Sequence, residues 1–435
     1  MRASHSSEFL NCRNNIAQVF EHIKNELHEN LYLSVSTQRS CKEAFLVNPK
    51  ERSFSDDQVV GTNVRVFDGV TMHEWASPEL DLDVLLKNLN PWLLDMRQLQ
   101  PQQKVYVSPP WSQRIEGVDE PDLLDQIPNS PRPDEWVEFG MNIDVPWPKS
   151  TDEKMQFIET KYKAFNSAAL NLADGHPARV LDFSMGRFEL TLEEHAFIDD
   201  AVRMSQVLPR VLAVIVGIKG AERAYYISGG LGGMETIHLE EEQFSEIFTD
   251  LKNLVNAKPL APGRYQLLMH PSVSGVFAHE AFGHSQEGDT WARNRSKAKD
   301  LYESQESVGN EHATILNNPA IYKNAWENSA AWGSYYFDEE GWLASRQVLV
   351  ERGRLKQPMT DFVSAYHLGV PRSANGKREK WSHSIYTRQT NTYFSAGTKS
   401  FKELIGQVKS DTSPDIPTVE WKTPWEWAFK WESVM

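Results

Sequence analysis

The segment 270–289 reads HPSVSGVFAHEAFGHSQEGD, and it decides how the C-terminal half of the chain is interpreted. Pro271 and the apolar residues after it predict a helix that begins around this proline, because proline fits the first turn of a helix. His279 and His284 lie in this segment, and Glu280 directly follows the first histidine. These residue types are typical of a catalytic zinc site, so the segment is the first candidate for the protein's chemistry.

The spacing of the two histidines is unusual for a zinc site. The pattern His-Glu-x-x-x-His is one residue longer than the His-Glu-x-x-His of zinc proteases, in which residues i and i+4 share one helical face. At ~100° per residue, positions five apart diverge by about 140° on a regular helix. We therefore expect the helix to end or bulge at Gly283, so that His284 turns back towards His279.

The same three residues suit metal-assisted hydrolysis. Neutral imidazoles bind zinc at ~2.0–2.1 Å, and an open coordination position holds a water whose pKa falls towards ~7. Glu280 is adjacent to one ligand but lies on a different side of the helix, so we expect it to act as general base rather than as ligand. Spacing alone leaves a second interpretation open, in which both histidines are hydrogen-bonded core residues.

The run HEAFGHSQEGD at 279–289 resembles the signature of the TldD/PmbA family of zinc-dependent peptidases, in which His-Glu-x-x-x-His leads into Glu-Gly-Asp. Other short motifs follow in the family's order, and the resemblance spans roughly residues 10–408. They are the N-terminal helix, Leu31–Val35, Val59–Phe67, Tyr336–Gly341, Val348–Leu355, Gly369-Val370, Asn375–Glu379 and Thr390–Tyr393 with Gly397.

The resemblance implies that His279 and His284 bind zinc and that Glu280 serves catalysis. Glu287 and Asp289 match the Glu-Gly-Asp that borders the family's site. For both we favour a hydrogen bond to a histidine over direct ligation, since ligating imidazoles normally donate their other N–H to a carboxylate or carbonyl. A simple turn after the helix is the alternative explanation for this segment.

The sequence departs from the family in its third zinc ligand, which is a C-terminal cysteine in the family. The chain has no cysteine after Cys41, so the third ligand is unknown. Candidates by residue type alone are His270, His312 and His383, and more remotely Cys12 and Cys41. The chain also departs from the family after about Val408, where a Trp-rich tail replaces the family's expected final strands.

A further group of polar and aromatic residues lies in a strand-like run. Tyr386, Arg388, Asn391 and Tyr393 could stabilise an oxyanion or hold a peptide backbone by strand addition. Ordinary packing within a β-sheet is the alternative, and we favour it.

The expected fold is α+β, and the resemblance implies a mixed α/β N-terminal domain followed by a β-rich, barrel-like C-terminal domain that carries the metal helix. We predict an N-terminal domain at 1–100, a Pro-rich connector at 101–150, a central α/β region at 151–258 and the C-terminal domain at 259–435. Within the first unit, leucines from Leu82 outline a helix that Asn90-Pro91 should end.

The composition argues against several classes of protein. The 435 residues carry 45 Lys and Arg against 60 Asp and Glu, and the net charge of -15 disfavours nucleic-acid binding. The longest apolar run, Val211–Ile218, is far shorter than the ~20 residues that span a bilayer. The N-terminus lacks a signal peptide's apolar core, and two cysteines form no disulfide framework, so we expect a cytoplasmic protein.

The leading hypothesis is a cytoplasmic zinc peptidase that acts on peptides as a homodimer, or as a heterodimer with a related subunit. The alternative is a non-catalytic partner or peptide-binding subunit that has lost the third ligand. An oxidoreductase that uses the glycine-rich segment around Gly229 is disfavoured, because its glycines lack the spacing that cradles a phosphate.

Overall fold

A computed structural model describes most of the chain. The described residues are 2–101, 104–105, 123, 126–128, 131–172, 180–259, 261–263, 266–323, 330–410 and 418–421. Nearly half of the predicted Pro-rich connector, including residues 106–122, lies outside these residues, as do Trp425, Trp427 and Trp431 of the Trp-rich tail.

The N-terminal part is a helix followed by three antiparallel strands and a second helix. These elements are α1 (Ser7–Lys24), β1 (Tyr32–Val47), β2 (Arg52–Phe67), β3 (Met72–Ser77) and α2 (Leu82–Met96). Both helices bury apolar side chains against one face of the strands, and the core there includes Ile16, Leu89 and Val64. The predicted end of α2 at Pro91 is wrong. The helix continues to Met96 because Leu93 and Met96 extend the same buried face.

The central part adds four strands and two helices. They are β4 (Trp136–Gly140), α3 (Thr151–Leu172), β5 (Phe183–Asp199), β6 (Arg203–Lys219), β7 (Glu222–Leu231) and α4 (Glu241–Val255). Helices α3 and α4 pack together on the sheet, with Phe165 stacked 4.9 Å from Phe248. The glycine-rich segment forms the end of β7, where a Cβ on Gly229 would lie 2.1 Å from the carbonyl oxygen of Val211.

Strands from both parts share one seven-stranded sheet. Its order is β3-β2-β1-β5-β6-β4, with β7 also paired to β6. All pairs are antiparallel except β4 with β6, and β1 joins the two parts by pairing β5 from Ser34↔Asp199 to Val47↔Gly186. The domain boundaries at 100, 150 and 258 stay predictions.

The C-terminal part consists of short elements linked by long connections. The helices are α5 (Pro271–Phe277), α6 (Gly288–Ala292), α7 (Lys297–Glu303), α8 (Phe362–Leu368) and α9 (Phe401–Ser410). The strands are β8 (Gln266–Met269), β9 (Ile315–Asn317), β10 (Gln347–Glu351), β11 (Arg354–Leu355), β12 (Gly376–Lys377), β13 (Tyr386–Thr387), β14 (Thr392–Phe394) and β15 (Thr418–Trp421).

These elements confirm the α+β class and correct one detail of the expected fold. The C-terminal strands form one sheet of order β11-β10-β9-β14 and two separate strand pairs, β12-β13 and β15-β8. The described residues contain no closed barrel. Strands of two to five residues are too short to supply the continuous ladders that closing a barrel requires.

A buried ionic cluster joins the large sheet to the C-terminal part. Arg65 of β2 forms an ion pair with Glu340, whose carboxylate also accepts a hydrogen bond from the backbone N–H of Phe362 at 2.5 Å. Nearby, Arg378 donates to Oδ1 of Asn63 at 2.5 Å and to Oε2 of Glu339 at 3.0 Å. These contacts fix the C-terminal part against the sheet.

None of the described helices combines the length and the apolar character needed to cross a membrane.

Candidate metal centre

The two histidines lie on a π-helical turn. Helix α5 begins at Pro271, as the sequence predicts, and residues Ala278–Gly283 then continue it with π geometry. The backbone N–H of His284 donates to the carbonyl oxygen of His279, five residues earlier. This i→i+5 bond accommodates the additional residue in one turn and brings the two positions onto the same face. The irregularity lies where the sequence predicts a bulge.

The π-turn brings the two imidazoles close together. The ring centroids of His279 and His284 are 4.9 Å apart, and the rings are nearly perpendicular at 89°. One ligand atom from each histidine and one carboxylate oxygen of Glu280 all lie within 4.8 Å of one another. Among the residues that the structure describes, these three form the one such group of His, Cys, Asp and Glu donors.

Glu280 is exposed and lies close to the second histidine. Its side chain is 66% accessible, and its Oε2 atom is 4.0 Å from Nε2 of His284. It therefore lies on the solvent-exposed side of the histidine pair, which we call the open side. There it can accept a proton from a bound water or offer an oxygen to a cation.

Glu287 orients His284 by contacting the ring nitrogen that faces away from Glu280. Its Oε1 atom is 3.1 Å from Nδ1 of His284, and its Oε2 atom is 3.4 Å from Nη1 of Arg388. When Nδ1 donates its proton to this carboxylate, Nε2 carries the free lone pair that a metal needs. Burial raises the pKa of Glu287, although the charge of Arg388 opposes the shift.

The surroundings of His279 favour its neutral form by lowering its pKa. Its ring is half-buried, and this burial lowers its pKa, while the neighbouring His284 lowers it further. The neutral form is the one that binds a metal ion.

Asp289 makes a different contact from the one expected. This carboxylate is buried in α6 and faces Arg293, with Oδ2 3.8 Å from Nη1. The hydrogen bond to an imidazole that the sequence predicts for this segment is made by Glu287.

The third-ligand candidates lie outside the group formed by His279, Glu280 and His284 in the described part of the chain. His270 is the N-cap of α5, and the backbone N–H of His312 donates to Asn310. His383 lies 3.4 Å from an oxygen of Glu379. Cys12 is buried in α1 and Cys41 lies in β1.

The four polar and aromatic residues of the strand-like run have separate surroundings. The carboxamide of Asn391 donates to the carbonyl oxygen of Asn318 and to Oγ of Ser334. Tyr393 pairs with β9 inside the sheet. Tyr386 lies between two guanidinium groups, 5.5 Å from that of Arg293 and 5.4 Å from that of Arg388.

Sequence reasoning missed one residue that touches the π-turn. Nε2 of Gln389 donates to the carbonyl oxygen of His279 at 3.3 Å. The available signal was Gly283, because a glycine directly before the second histidine indicates that another side chain packs closely there. A Cβ at this position would lie 1.8 Å from Oε1 of Gln389.

The segment that carries this site is similar to a known protein family. Residues 262–411 match the family described as the PmbA/TldA metallopeptidase C-terminal domain, and this range contains the whole histidine site. The C-terminal part of the chain, residues 262–411, is a domain of the TldD/PmbA family.

Several curated TldD/PmbA relatives are named as metalloproteases. A metalloprotease of Methanocaldococcus jannaschii is 32% identical over 194 residues, which cover 44% of this chain and 39% of the relative. A metalloprotease TldD homologue of Haemophilus influenzae is 36% identical over 160 residues, which cover 36% and 31%. A zinc metalloprotease TldD homologue of Saccharolobus solfataricus is 29% identical over 160 residues, which cover 37% and 33%. The chain spans about two fifths of the length of the first of these relatives, and less of the other two.

Solved structures share the fold over most of the chain. A "putative modulator of a DNA gyrase" from Thermotoga maritima aligns with a TM-score of 0.64 and 16% identity, covering 91% of this chain and 80% of that one. TldE from Thermococcus kodakarensis aligns with a TM-score of 0.59 and 15% identity, covering 90% and 80%. At these identities the likeness is one of fold.

Proposed function

We propose that the protein is a zinc-dependent peptidase of the TldD/PmbA type. The observation that carries this proposal is the i→i+5 bond between His279 and His284, which brings two imidazoles and the Glu280 carboxylate within 4.8 Å of one another. A rare helical irregularity that assembles metal ligands is typical of a functional site.

The residues present fit a zinc ion. His279 and His284 would bind it through ring nitrogens, and Glu287 would fix the ring orientation of His284. Burial lowers the pKa of His279, which favours the neutral form that binds a metal ion. The third protein ligand stays unassigned.

The chemistry divides between the ion and the protein. A bound zinc ion would supply Lewis-acid activation of water and of the scissile carbonyl. Glu280 would take a proton from the attacking water and return it to the leaving amine. The Glu280 side chain is exposed, so a substrate could approach its carboxylate from the solvent.

The proposed substrates are unfolded or small peptides, and the proposed setting is the cytoplasm. We also propose that the protein acts as a dimer, either of two copies or with a related subunit. The names of the metalloprotease relatives support peptides as the substrate class.

A second candidate function is a non-catalytic partner or peptide-binding subunit. The observation that favours it is that the group formed by His279, Glu280 and His284 in the described residues contains two histidines, where catalytic zinc sites use three protein ligands. This candidate predicts a chain that binds a relative or a peptide and cleaves nothing by itself.

The deciding experiment compares peptide hydrolysis by the zinc-loaded wild type, Glu280→Gln and Glu379→Gln. Glu379 is a matched control, because it is an exposed carboxylate near the unrelated His383. We expect wild type and Glu379→Gln to cleave an unstructured peptide, and Glu280→Gln to retain zinc but cleave it about 10²- to 10⁴-fold more slowly. Zinc-loaded wild type that cleaves no peptide would instead support the partner-subunit function.

A further inference from the structure

The π-turn depends on the carbonyl oxygen of His279. This oxygen accepts the i→i+5 bond from the backbone N–H of His284, which closes the wide turn. Helical segments with this spacing are rare and usually last a single turn, so the surrounding structure has to support them. A side chain that contacts the same oxygen can give that support.

Gln389 lies in the connection between β13 and β14 and contacts this carbonyl from there. Its Nε2 atom donates to the His279 oxygen at 3.3 Å, and its Oε1 atom accepts a hydrogen bond from Oγ1 of Thr392 at 3.0 Å. Thr392 begins β14, which pairs with β9. The sheet therefore holds the carboxamide with its donor end towards the π-turn.

Gly283 and the Gln389 side chain fit against each other. A Cβ built on Gly283 would lie 1.8 Å from Oε1 and 2.4 Å from Cδ of Gln389. The backbone φ of Gly283 is -63°, so alanine would suit the local conformation, and the three atoms nearest to its Cβ would all belong to the Gln389 carboxamide. The glycine before the second histidine is thus explained by the close approach of Gln389.

We infer that Gln389 is a positioning residue for the metal centre: its carboxamide holds the π-helical turn that brings His279 and His284 together. This inference rests on the proposed function for its effect on zinc. Without the carboxamide, the His279 carbonyl loses one of its two donors, and the segment can relax towards regular helix, in which the two rings diverge by about 140°.

The test uses Gln389→Met, which keeps the length of the side chain and removes the N–H donor. We expect its zinc dissociation constant to rise about 10- to 100-fold, the range typical for loss of a residue that orients metal ligands. With Co²⁺ in place of zinc, we expect its visible absorption bands to shift, because the ligand geometry changes. Gln357→Met is the matched control, since Gln357 also donates to a backbone carbonyl, that of Pro371.

Two further variants separate the steric fit between Gly283 and Gln389 from the hydrogen bond that Gln389 donates. Gly283→Ala should weaken zinc binding because its Cβ displaces the carboxamide. Gly283→Ala combined with Gln389→Ala should bind zinc as Gln389→Ala alone does, because the clash is gone while the hydrogen bond stays lost. Zinc affinity and a Co²⁺ spectrum of Gln389→Met equal to those of the wild type would overturn the inference.

Hydrogen exchange keeps this test independent of the proposed function. If the wild type binds no zinc, the proposed function fails, and the metal-free proteins still report on the turn. Faster deuterium uptake across 278–289 in Gln389→Met than in wild type would then uphold the role of Gln389. Equal uptake would overturn it.

Discussion

Nδ1 of His284 lies 3.1 Å from Oε1 of Glu287, and this contact determines which nitrogen of the ring faces the open side of the site. The opposite nitrogen, Nε2, is the one that lies 4.0 Å from the Glu280 carboxylate. Glu287 is itself held by Arg388. The second histidine is thus oriented by a buried carboxylate and an arginine from a different segment.

This arrangement predicts that Glu287→Gln weakens zinc binding. An amide can still accept from Nδ1, but it lacks the negative charge that strengthens the imidazole as a ligand, so we expect about a 10-fold rise in the zinc dissociation constant. Competition with a chromophoric chelator measures the zinc dissociation constant. Asp289→Asn is a suitable comparison, because that nearby carboxylate faces Arg293. An equal loss of zinc affinity in both variants would contradict a specific role for Glu287.

The buried pair between Arg65 and Glu340 predicts a large effect on stability. Opposing the cost of burial, the charges of Arg65 and Arg372 lower the pKa of Glu340, so the carboxylate is ionised in the folded protein. Arg65→Met would leave this buried charge poorly compensated and lower the free energy of unfolding by about 3 kcal/mol. Lys24→Met, which breaks a half-exposed pair with Asp200, should change it far less.

Denaturant unfolding of both variants provides the measurement. A free energy of unfolding for Arg65→Met within about 0.5 kcal/mol of the wild-type value would show that the buried pair contributes little to the attachment of the C-terminal part.

His195 predicts a loss of stability in mild acid. It is buried beneath the C-terminal part, and burial together with the charge of Lys377 lowers its pKa to about 3, against about 6.5 in the unfolded chain. The unfolded state therefore binds a proton that the folded state does not. The contribution to stability is fully present above about pH 6.5 and is lost as the pH falls, by up to about 1.4 kcal/mol per pH unit.

Denaturation curves from about pH 7.5 to about pH 4.5 test this linkage in wild type and His195→Gln. The variant should show a shallower decline in the free energy of unfolding on the acid side. His383→Gln changes an exposed histidine and serves as control. Parallel declines in wild type and His195→Gln would rule out His195 as the source.

The sequence predicted those parts of the structure that depend on local patterns. Pro271 indicated the start of α5, because proline acts on the first turn of its own helix. The bulge near Gly283 was likewise predictable, since two histidines five apart on one helix can share a ligand only if the helix deforms.

Long-range packing accounts for what the sequence could not reveal. Helix α2 continues past Pro91 because buried Leu93 and Met96 outweigh the backbone hydrogen bond that a proline removes. Gln389 meets the π-turn across 110 residues of chain, and no spacing rule covers such a distance. The ionic cluster around Glu340 also joins residues that are far apart in sequence.

The most direct test of the central claim is the zinc content per chain after equilibrium dialysis, measured on wild type, His279→Ala and His284→Ala. The π-turn account predicts about one zinc per chain in the wild type and none in either variant, because each imidazole is needed to hold the ion. A wild-type chain that retains no zinc, or variants that retain as much as the wild type, would contradict it.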